Sequence, residues 1–305
     1  MPGKLLKLEE LSSVEFDALD RMRTVILLPM SPIEAHGSHL PLGVDFFNAI
    51  YFAERIGSLI IENRSDFTAV LAPGIPLGSQ LYRFPGSLRS DSIAIFRTAY
   101  NFARSMAGWG FKYIFMLSGH GAPKDIVALE YACVKASRKF NIEMHNLSGA
   151  LAVRFLKGEF IDRISKLMPS PISDEQKELL RMDLHGGWWE TSMMLLLRPE
   201  LVKSQFQELP SVKPGEKSGD RNAGYYGSPA LAHKSFAQAS MQVMSQEALV
   251  IVEKILDGRA SSAETISPYF KYIPLRPFFK RYVILFSLAL LLLLIALIIA
   301  VLQMT

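Results

Sequence analysis

Histidine and carboxylate side chains gather in three short segments of this 305-residue chain. The segments are "EAHGSHLPLGVD" (34–45), "SGHGAP" (118–123) and "DLHGGWWE" (183–190). Glutamate, aspartate and imidazole together suit zinc, manganese or iron(II), whereas a calcium site would want more oxygen ligands and no imidazole. The pattern predicts a metal site, and its candidate ligands are Glu34, His36, Asp45, His120 and Glu190.

The spacing within these segments fits that chemistry. Glu34 and His36 lie two positions apart, so an extended backbone directs both side chains to the same face. Asp45 lies just before a predicted helix, where backbone N–H groups could fix its carboxylate while it bridges two ions. A glycine follows each of the histidines at 36, 120 and 185, and glycine lets the backbone approach a bound group closely.

The other three histidines have simpler explanations. We expect His39 to pack and hydrogen-bond under its loop, because leucine and proline follow it. His145 ends an apolar run, which indicates a histidine of the core or the sheet. His233 has no companion ligand nearby in the sequence.

Apolar runs and helical periodicity alternate along the chain. Runs at 24–30, 67–73, 113–119 and 141–147 are short enough for buried strands, and helical stretches cover 46–61, 91–108 and 124–140. This alternation predicts an α/β fold with a mostly parallel sheet flanked by helices. In such sheets, ligands bind beyond the carboxyl ends of the strands. The loops of His36 and His120 follow the first and third runs, so both should emerge at one edge.

The rest of the chain predicts fewer features. His185 stands in a Gly-Gly loop before a helix that carries Glu190 in its first turn. Residues 209–228, rich in proline, glycine, lysine and serine, indicate an exposed excursion, and helical periodicity resumes over 229–256. Cys133 is the sole cysteine, which excludes a disulfide within the chain and predicts a buried thiol.

The stretch 283–302, "VILFSLALLLLLIALIIAVL", contains no charged residue. At about 1.5 Å per residue it can cross a hydrocarbon core of about 30 Å, so it predicts a transmembrane helix. A buried core helix is the alternative, and we would expect that to show a polar face. The chain then divides into a large N-terminal domain (1–257), a juxtamembrane linker (258–282) and a transmembrane helix (283–302).

Basic residues precede this stretch at 271, 276, 280 and 281, and only "QMT" follows it. The positive-inside tendency therefore predicts a single-pass C-terminal anchor with the large domain in the cytoplasm. The basic cluster, part of a net charge of +4, is expected to meet anionic lipid. We find no arginine-lysine stripe interleaved with aromatic residues, so nucleic acid is a poor candidate partner.

Several motifs resemble the creatininase (creatinine amidohydrolase) family. "PMSPIEAHGSHLPLGVD" resembles its Glu-x-His-Gly-x-His-Leu-Pro signature with a following aspartate, and "RFPGSL" its Phe-Pro-Gly-Thr segment. "SGHGAP" is similar to the Asn-Gly-His-Gly-Gly-Asn loop, "HGGWWETSMML" to the His-Ala-Gly-x-x-Glu-Thr-Ser helix start, and "GYYGSPALAHKSFAQ" to Gly-x-x-Gly-x-Pro. The likeness covers roughly residues 6–256, and the C-terminal anchor lies outside it.

The resemblance implies a creatininase-like fold and a dinuclear metal hydrolase. By position, Glu34, Asp45 and His120 would hold one divalent ion (Zn, Mn or Fe). His36, Asp45 and a further glutamate would hold the second. Some relatives take that glutamate from the position of Ala122, so Glu190 is the expected substitute.

The resemblance implies that metal-bound hydroxide would hydrolyse the C–N bond of a small cyclic or formyl amide, or of a peptide end. His185 matches the family histidine that exchanges protons with substrate. Ser118, Trp188 and Trp189 are the expected substrate-binding residues, although burial is an equal alternative for the two tryptophans. The resemblance also implies a homo-oligomer, commonly a hexamer.

Departures from the family pattern leave an alternative open. Gln80 and Leu81 stand where the family often has Glu-His, Pro123 replaces an asparagine, and Leu184 replaces a glutamate. These changes favour a catalytically inactive, metal-binding scaffold at the membrane, whereas the intact ligand set favours an enzyme. A transport role is weak, because a single helix without charge offers no pathway.

Overall fold

Five short parallel strands form one sheet in the computed structural model, which describes residues 3–214, 224–259 and 262–304. Their spatial order is β1-β3-β2-β4-β5, and every pairing is parallel. The strands are β1 (Leu5–Lys7), β2 (Thr24–Pro29), β3 (Thr68–Leu71), β4 (Tyr113–Leu117) and β5 (Glu143–Asn146). The predicted α/β fold with a parallel sheet is confirmed.

Helices cover both faces of this sheet. The first five are α1 (Ser13–Asp17), α2 (Val44–Asn63), α3 (Ser92–Gly108), α4 (Pro123–Phe140) and α5 (Leu147–Leu156). They are followed by α6 (Ile161–Leu167), α7 (Asp174–Arg181), α8 (Trp188–Leu197), α9 (Lys234–Leu256), α10 (Ser262–Thr265) and α11 (Phe279–Met304).

The central strand β2 divides the hydrophobic core into two layers. Its residues are wholly buried, and successive side chains point to opposite faces of the sheet. Val25 and Leu27 join the layer that contains α2, α8 and α9, while Ile26 and Leu28 join the layer of α3 and α4. Cys133 is buried in the second layer, as the sequence predicts.

Each of the four predicted strands contains an observed one, and the three predicted helices match α2, α3 and α4 within two residues at each end. The sequence pattern does not predict β1, because its three residues are too few to show an alternating pattern. It also does not predict the short helices α1, α5, α6, α7 and α10. Part of the predicted exposed excursion, residues 215–223, lies outside the described residues.

The segment between α9 and α11 packs against the domain. The Ser267 N–H and hydroxyl donate hydrogen bonds of 2.6 and 3.0 Å to the buried carboxylate of Glu130 on α4. Phe278 makes an edge contact with Phe96 on α3 at 5.1 Å. The predicted juxtamembrane linker therefore follows a defined path over α3 and α4.

The last helix, α11, contains the stretch Arg281–Ala300, with a mean hydropathy of 3.3 and none of it buried. Within the described residues it is the one helix long and apolar enough to cross a membrane, a judgement based on length and composition alone. No part of the stretch packs inside the structure of this chain, unlike the buried core helix that was the alternative.

Glu130 should make stability depend on pH. Burial raises the pKa of this carboxyl to about 7, although its bonds to Ser267 lower it. A raised folded-state pKa gives stability that is full below the unfolded value of about 4.3 and is lost as pH rises through about 7. Between about pH 5 and pH 8, the free energy of unfolding of the parent protein should fall by up to about 3 kcal/mol because of Glu130. We expect Glu130→Gln to abolish this fall, and thermal unfolding at several pH values measures it.

The control for that measurement is Glu62→Gln, which changes an exposed glutamate in the last turn of α2. Its unfolding curve should follow the parent protein at every pH. If Glu130→Gln keeps the parent's pH slope, Glu130 does not carry a raised pKa.

Candidate metal centre and active site

The three histidine-bearing segments meet beyond the carboxyl ends of β2 and β4. The first leaves β2 as an irregular loop, closed by a 2.9 Å hydrogen bond from Glu34 N to Leu42 O, and it enters α2. The second links β4 to α4, and the third enters α8. Gly119 allows close packing here, since a Cβ on it would lie 2.3 Å from Asp45 O. The sheet thus brings together residues far apart in sequence.

Glu34, Asp45 and His120 form a first cluster whose potential ligand atoms lie within 4.8 Å of one another. His120 Nδ1 is 3.2 Å from Asp45 Oδ2 and 3.4 Å from Glu34 Oε2. Its other nitrogen, Nε2, lies 3.0 Å from the Gln80 carbonyl oxygen. Because a carbonyl only accepts, Nε2 carries the hydrogen, and Nδ1 faces the carboxylates with its lone pair when the ring is neutral.

His36, Asp45 and Glu190 form a second cluster that meets the same distance limit. His36 Nε2 is 3.4 Å from Asp45 Oδ1 and 3.5 Å from Glu190 Oε2. His36 Nδ1 donates to the Glu34 carbonyl at 2.9 Å, which directs Nε2 into the cluster. Asp45 therefore belongs to both clusters, with one oxygen toward each histidine.

The charges in the two clusters favour a cation. Burial alone lowers the pKa of His120, but Asp45 outweighs this effect and raises it to about 10. Burial also opposes ionisation of His36, yet Glu190 and Asp45 raise the pKa of His36 well above its usual value. Conversely, burial raises the pKa of Glu34 to about 7. The carboxylates thus attract positive charge at both imidazole edges, and a metal ion can supply it in place of protons.

Four buried atoms in these clusters make no aligned hydrogen bond to any described residue. They are Glu34 Oε2, His36 Nε2, Asp45 Oδ1 and Asp45 Oδ2. A buried polar atom without a partner costs about 1–3 kcal/mol, so such atoms require an explanation. Metal ions that accept these lone pairs would give all four atoms a partner. The residues present therefore fit divalent metal binding.

The expectation that Asp45 is fixed by helix N–H groups is wrong. Helix α2 begins at Val44, its N-cap is Gly43, and no side chain makes a cap hydrogen bond there. Asp45 is the second residue of the helix, so its carboxylate is free to face His36 and His120. Burial raises the pKa of Asp45, but these two histidines outweigh it and hold the pKa below its usual range.

His185 lies beside the second cluster. Its ring is 4.1 Å from the His36 ring and 4.4 Å from the Tyr82 ring, measured between centroids. His185 Nε2 donates to the Ala35 carbonyl at 2.8 Å, so Nδ1 holds the lone pair of the neutral ring. Burial and the neighbouring His36 lower the pKa of His185 to about 4, which keeps it neutral at pH 7.

A family model described as "Creatinine amidohydrolase" matches residues 9–252, which is most of the chain. The chain belongs to the creatininase family. A mycofactocin precursor peptide peptidase of Mycolicibacterium smegmatis is 26% identical over 229 residues, covering 70% of this chain and 78% of that protein. A creatinine amidohydrolase of Pseudomonas putida is 26% identical over 199 residues, covering 58% of this chain and 66% of that protein.

Solved creatininase structures share the fold. One described as "Creatininase Mn" superposes with a TM-score of 0.60 at 21% identity, covering 82% of this chain and 98% of the other. Another, a crystal structure of creatinine amidohydrolase, gives a TM-score of 0.61 at 20% identity, covering 82% and 97%. The expected creatininase-like fold is therefore confirmed.

The departures from the creatininase pattern leave the first cluster intact. Gln80 replaces a family residue, yet its backbone carbonyl holds His120, and its side chain accepts a 2.9 Å hydrogen bond from Lys124 N. The segment is fixed by Asp125, which accepts bonds from the Ser79 hydroxyl and from Ser79 N at 2.7 Å. Asp125 could not be singled out from the sequence, because its position on α4 gives no signal of this contact.

The three expected substrate-binding residues divide between two environments. Trp188 is 1% exposed and packs on Phe236 at 4.7 Å, so its expected place in an aromatic wall is wrong and the burial alternative holds. Trp189 and Ser118 line a cavity of about 510 Å³ that His120, His185 and Glu190 also line. The Ser118 hydroxyl accepts a 3.2 Å bond from His120 N.

The remaining histidines lie where the sequence places them. His39 is buried under the first loop, 3.0 Å from the Thr191 hydroxyl. His145 lies in β5, 3.0 Å from Glu143 Oε2. His233 is the N-cap of α9, and no described cluster of potential metal ligands includes it.

Asp183 organises the start of α8 and was also missed. It is buried, and its carboxylate accepts hydrogen bonds of 2.7, 2.8 and 3.2 Å from the backbone N–H groups of Trp188, Trp189 and Ser228. Glycine at 187 is required for this approach, since a Cβ there would lie 1.9 Å from Asp183 Oδ1. Asp183 therefore fixes the turn between His185 and Glu190.

We expect Asp183→Ala to lower the free energy of unfolding by about 2–4 kcal/mol, because two buried N–H groups and one part-buried N–H group lose their acceptor. Denaturant unfolding measures this change, and metal content should fall as Glu190 loses its position. Asp91→Ala is the control, because it removes a single exposed 2.7 Å cap bond on α3. That loss should cost about 1 kcal/mol and leave metal content unchanged.

Proposed function

We propose that this chain is a membrane-tethered, divalent-metal-dependent amide hydrolase. The observation that carries the proposal is the pair of ligand clusters sharing Asp45, in which four buried lone-pair atoms have no hydrogen-bond partner among the described residues. Glu34, Asp45 and His120 would hold one ion, and His36, Asp45 and Glu190 the second. When bound, such ions supply an acidified water and a polarised substrate carbonyl.

The chain's own residues would orient the substrate and move the proton. The Tyr82 N–H donates to Glu34 Oε1 at 2.5 Å, which fixes the Glu34 carboxylate and leaves Oε2 toward His120. His185 Nδ1, held by the Nε2 bond to Ala35, can accept the proton of the attacking water. It then hands that proton to the leaving nitrogen as the C–N bond breaks, so His185 is neutral before the attack and carries the proton as an imidazolium between the two steps.

Relatives of this chain support hydrolysis of an amide and leave the substrate open. One similar protein is a creatinine amidohydrolase and another is a peptidase of a precursor peptide. A small cyclic or formyl amide and a peptide end are therefore both substrate candidates for this chain. Loss of the family Glu-His at Gln80 and Leu81 argues for a substrate other than creatinine.

The apolar helix α11 supports tethering to a membrane, through its length of 20 suitable residues and its exposure. We propose that it spans the bilayer with the hydrolase domain in the cytoplasm, as the preceding basic residues favour. Membrane fractionation and protease protection of tagged chains test this orientation. The expected homo-oligomer stays a prediction, which light scattering of the purified chain can test.

Metal content per chain is the first test of this function. The full chain, purified without chelator and analysed by mass spectrometry, should contain about two zinc, manganese or iron ions. Chelation should abolish hydrolysis of formyl and cyclic amides, and the same metal should restore it. Bound metal without turnover of any amide would favour the alternative, an inactive scaffold at the membrane. Absence of metal after reconstitution would contradict both readings.

A further inference from the structure

The cavity beside the ligand clusters has an apolar wall that the proposed chemistry does not require. Four helices and the segment before α11 build this wall, through Phe52, Ala152, Phe155, Trp189, Met244 and Tyr269. The volume of the cavity, about 510 Å³, falls within the range of roughly 300–1,000 Å³ typical of small-molecule sites. An apolar wall of this extent suits an apolar substrate group, because binding would remove both surfaces from water.

The charge of the lining selects against an anionic substrate group. None of the described residues that line the cavity is a lysine or an arginine, whereas Asp183 and Glu190 are acidic. A substrate carboxylate away from the metal would therefore lack a cation partner and would lose its hydration. The wall favours a neutral substrate.

One polar side chain that lines the cavity, Asn48, has no hydrogen-bond partner among the described residues. Asn48 lies on α2, one turn after Asp45, and it is 3% exposed. Neither its Oδ1 nor its Nδ2 makes a hydrogen bond to any described residue. The Cβ of Asn48 packs closely against Gly119 in the His120 loop, since a Cβ added to Gly119 would lie 2.8 Å from it. A carboxamide with a free donor and a free acceptor matches a substrate amide, which offers the complementary pair.

Tyr269 connects the cavity to the approach to the membrane helix. It lies two residues after Ser267, which Glu130 holds, and ten residues before α11 begins at Phe279. The wall of the cavity thus includes the segment that leads to the apolar helix. An amide that partitions into a bilayer would meet the cavity beside this segment.

We propose, building on the proposed function, that the site takes neutral amides carrying an apolar chain, with Asn48 hydrogen-bonding the amide group. The apolar chain of the substrate, about eight carbons long, lies along the wall formed by α2, α5, α8 and α9. Hydrolysis adds water across the C–N bond and releases the amine or ammonia and a carboxylic acid. The carboxylate product is disfavoured by the acidic lining, which promotes its release.

The test compares short and long neutral amides with the metal-loaded full chain in lipid nanodiscs. N-octylformamide is paired with N-methylformamide, and octanamide with acetamide, so that the chain lies on the amine side or the acyl side. Free concentrations are corrected for partition into the bilayer. We expect kcat/KM to be at least about 100-fold higher for one long amide than for its short partner. Equal values in both pairs would overturn the proposal.

Two variants separate the wall from the amide contact. Ala152→Phe narrows the wall and should lower the long-to-short ratio of kcat/KM by about 10-fold, whereas Ala18→Phe, at an exposed position, should keep the parent ratio. Asn48→Leu should lower kcat/KM for long and short amides by about 10–100-fold. It should also raise Tm, because it removes two buried atoms without partners. A lower Tm with unchanged kcat/KM would assign Asn48 a purely structural role and contradict the proposed hydrogen bond between Asn48 and the substrate amide.

Binding of octanamide, measured by calorimetry against empty nanodiscs, distinguishes this proposal from the proposed function. Absence of turnover for every amide would contradict the proposed hydrolase. Octanamide binding that is lost in Asn48→Leu and weakened in Ala152→Phe would still support the apolar-amide site. If octanamide binds no better than acetamide, this proposal fails even when short amides are hydrolysed.

Discussion

Asp45→Ala should remove both metal ions and abolish hydrolysis, whereas His36→Ala should keep about one ion per chain. The reason is geometric, since Asp45 presents one oxygen to each cluster, 3.4 Å from His36 Nε2 and 3.2 Å from His120 Nδ1. His36→Ala leaves Glu34, Asp45 and His120 in place. Metal content by mass spectrometry, on protein purified without chelator, measures both results.

The control for these variants is Asp125→Asn, which changes a carboxylate that holds Ser79, next to Gln80, without belonging to either cluster. It should weaken the bond to Ser79 but keep both ions. Thermal unfolding of the metal-free proteins checks that folding survives each change. Metal content equal to the parent in both Asp45→Ala and His36→Ala would show that the ions bind elsewhere.

His185→Gln should lower kcat by about 10²–10⁴-fold while metal content stays at the parent level. Glutamine can keep a hydrogen bond to the Ala35 carbonyl, but it offers no nitrogen lone pair to accept and return a proton. The burial that lowers the pKa of His185 to about 4 keeps this lone pair available at neutral pH. Steady-state kinetics with an amide that the parent protein hydrolyses measures the loss.

His39→Gln is the matched control, since His39 is also a buried histidine of the site region but contacts Thr191 instead of the clusters. It should reduce thermal stability and change kcat by less than about 10-fold. An equal loss of kcat in the two variants would mean that packing, and not proton transfer, explains His185. Loss of metal in His185→Gln would instead make His185 a ligand, since one of its nitrogens lies within 4.8 Å of ligand atoms of Glu34 and His36.

Local sequence was sufficient for four of the five strands, the principal helices and the candidate metal ligands. The runs at 24–30 and 113–119 are apolar because their strands are buried on both faces of a parallel sheet, and such runs are visible without tertiary information. The histidines at 36 and 120 follow those strands directly, so topology alone predicts that they meet at one edge. The family motifs of creatininases carry the same information.

Only the tertiary structure decided which groups contact one another. Glu190 reaches His36 because α8 starts beside the first loop, and no spacing in the sequence encodes that packing. The histidine N–H groups donate to the backbone carbonyls of Glu34, Ala35 and Gln80, and these acceptors have no sequence signature. Trp188 and Trp189 are neighbours with identical side chains, and only the helix rotation sends one into the core and the other to the cavity.

The types of the candidate ligands and their order are thus properties of the sequence, because they depend on short segments that follow strands or precede helices. The pairing of ligands, the proton positions and the apolar wall depend on contacts between distant segments. Those contacts form only when the sheet orders its strands and the helices pack across both faces.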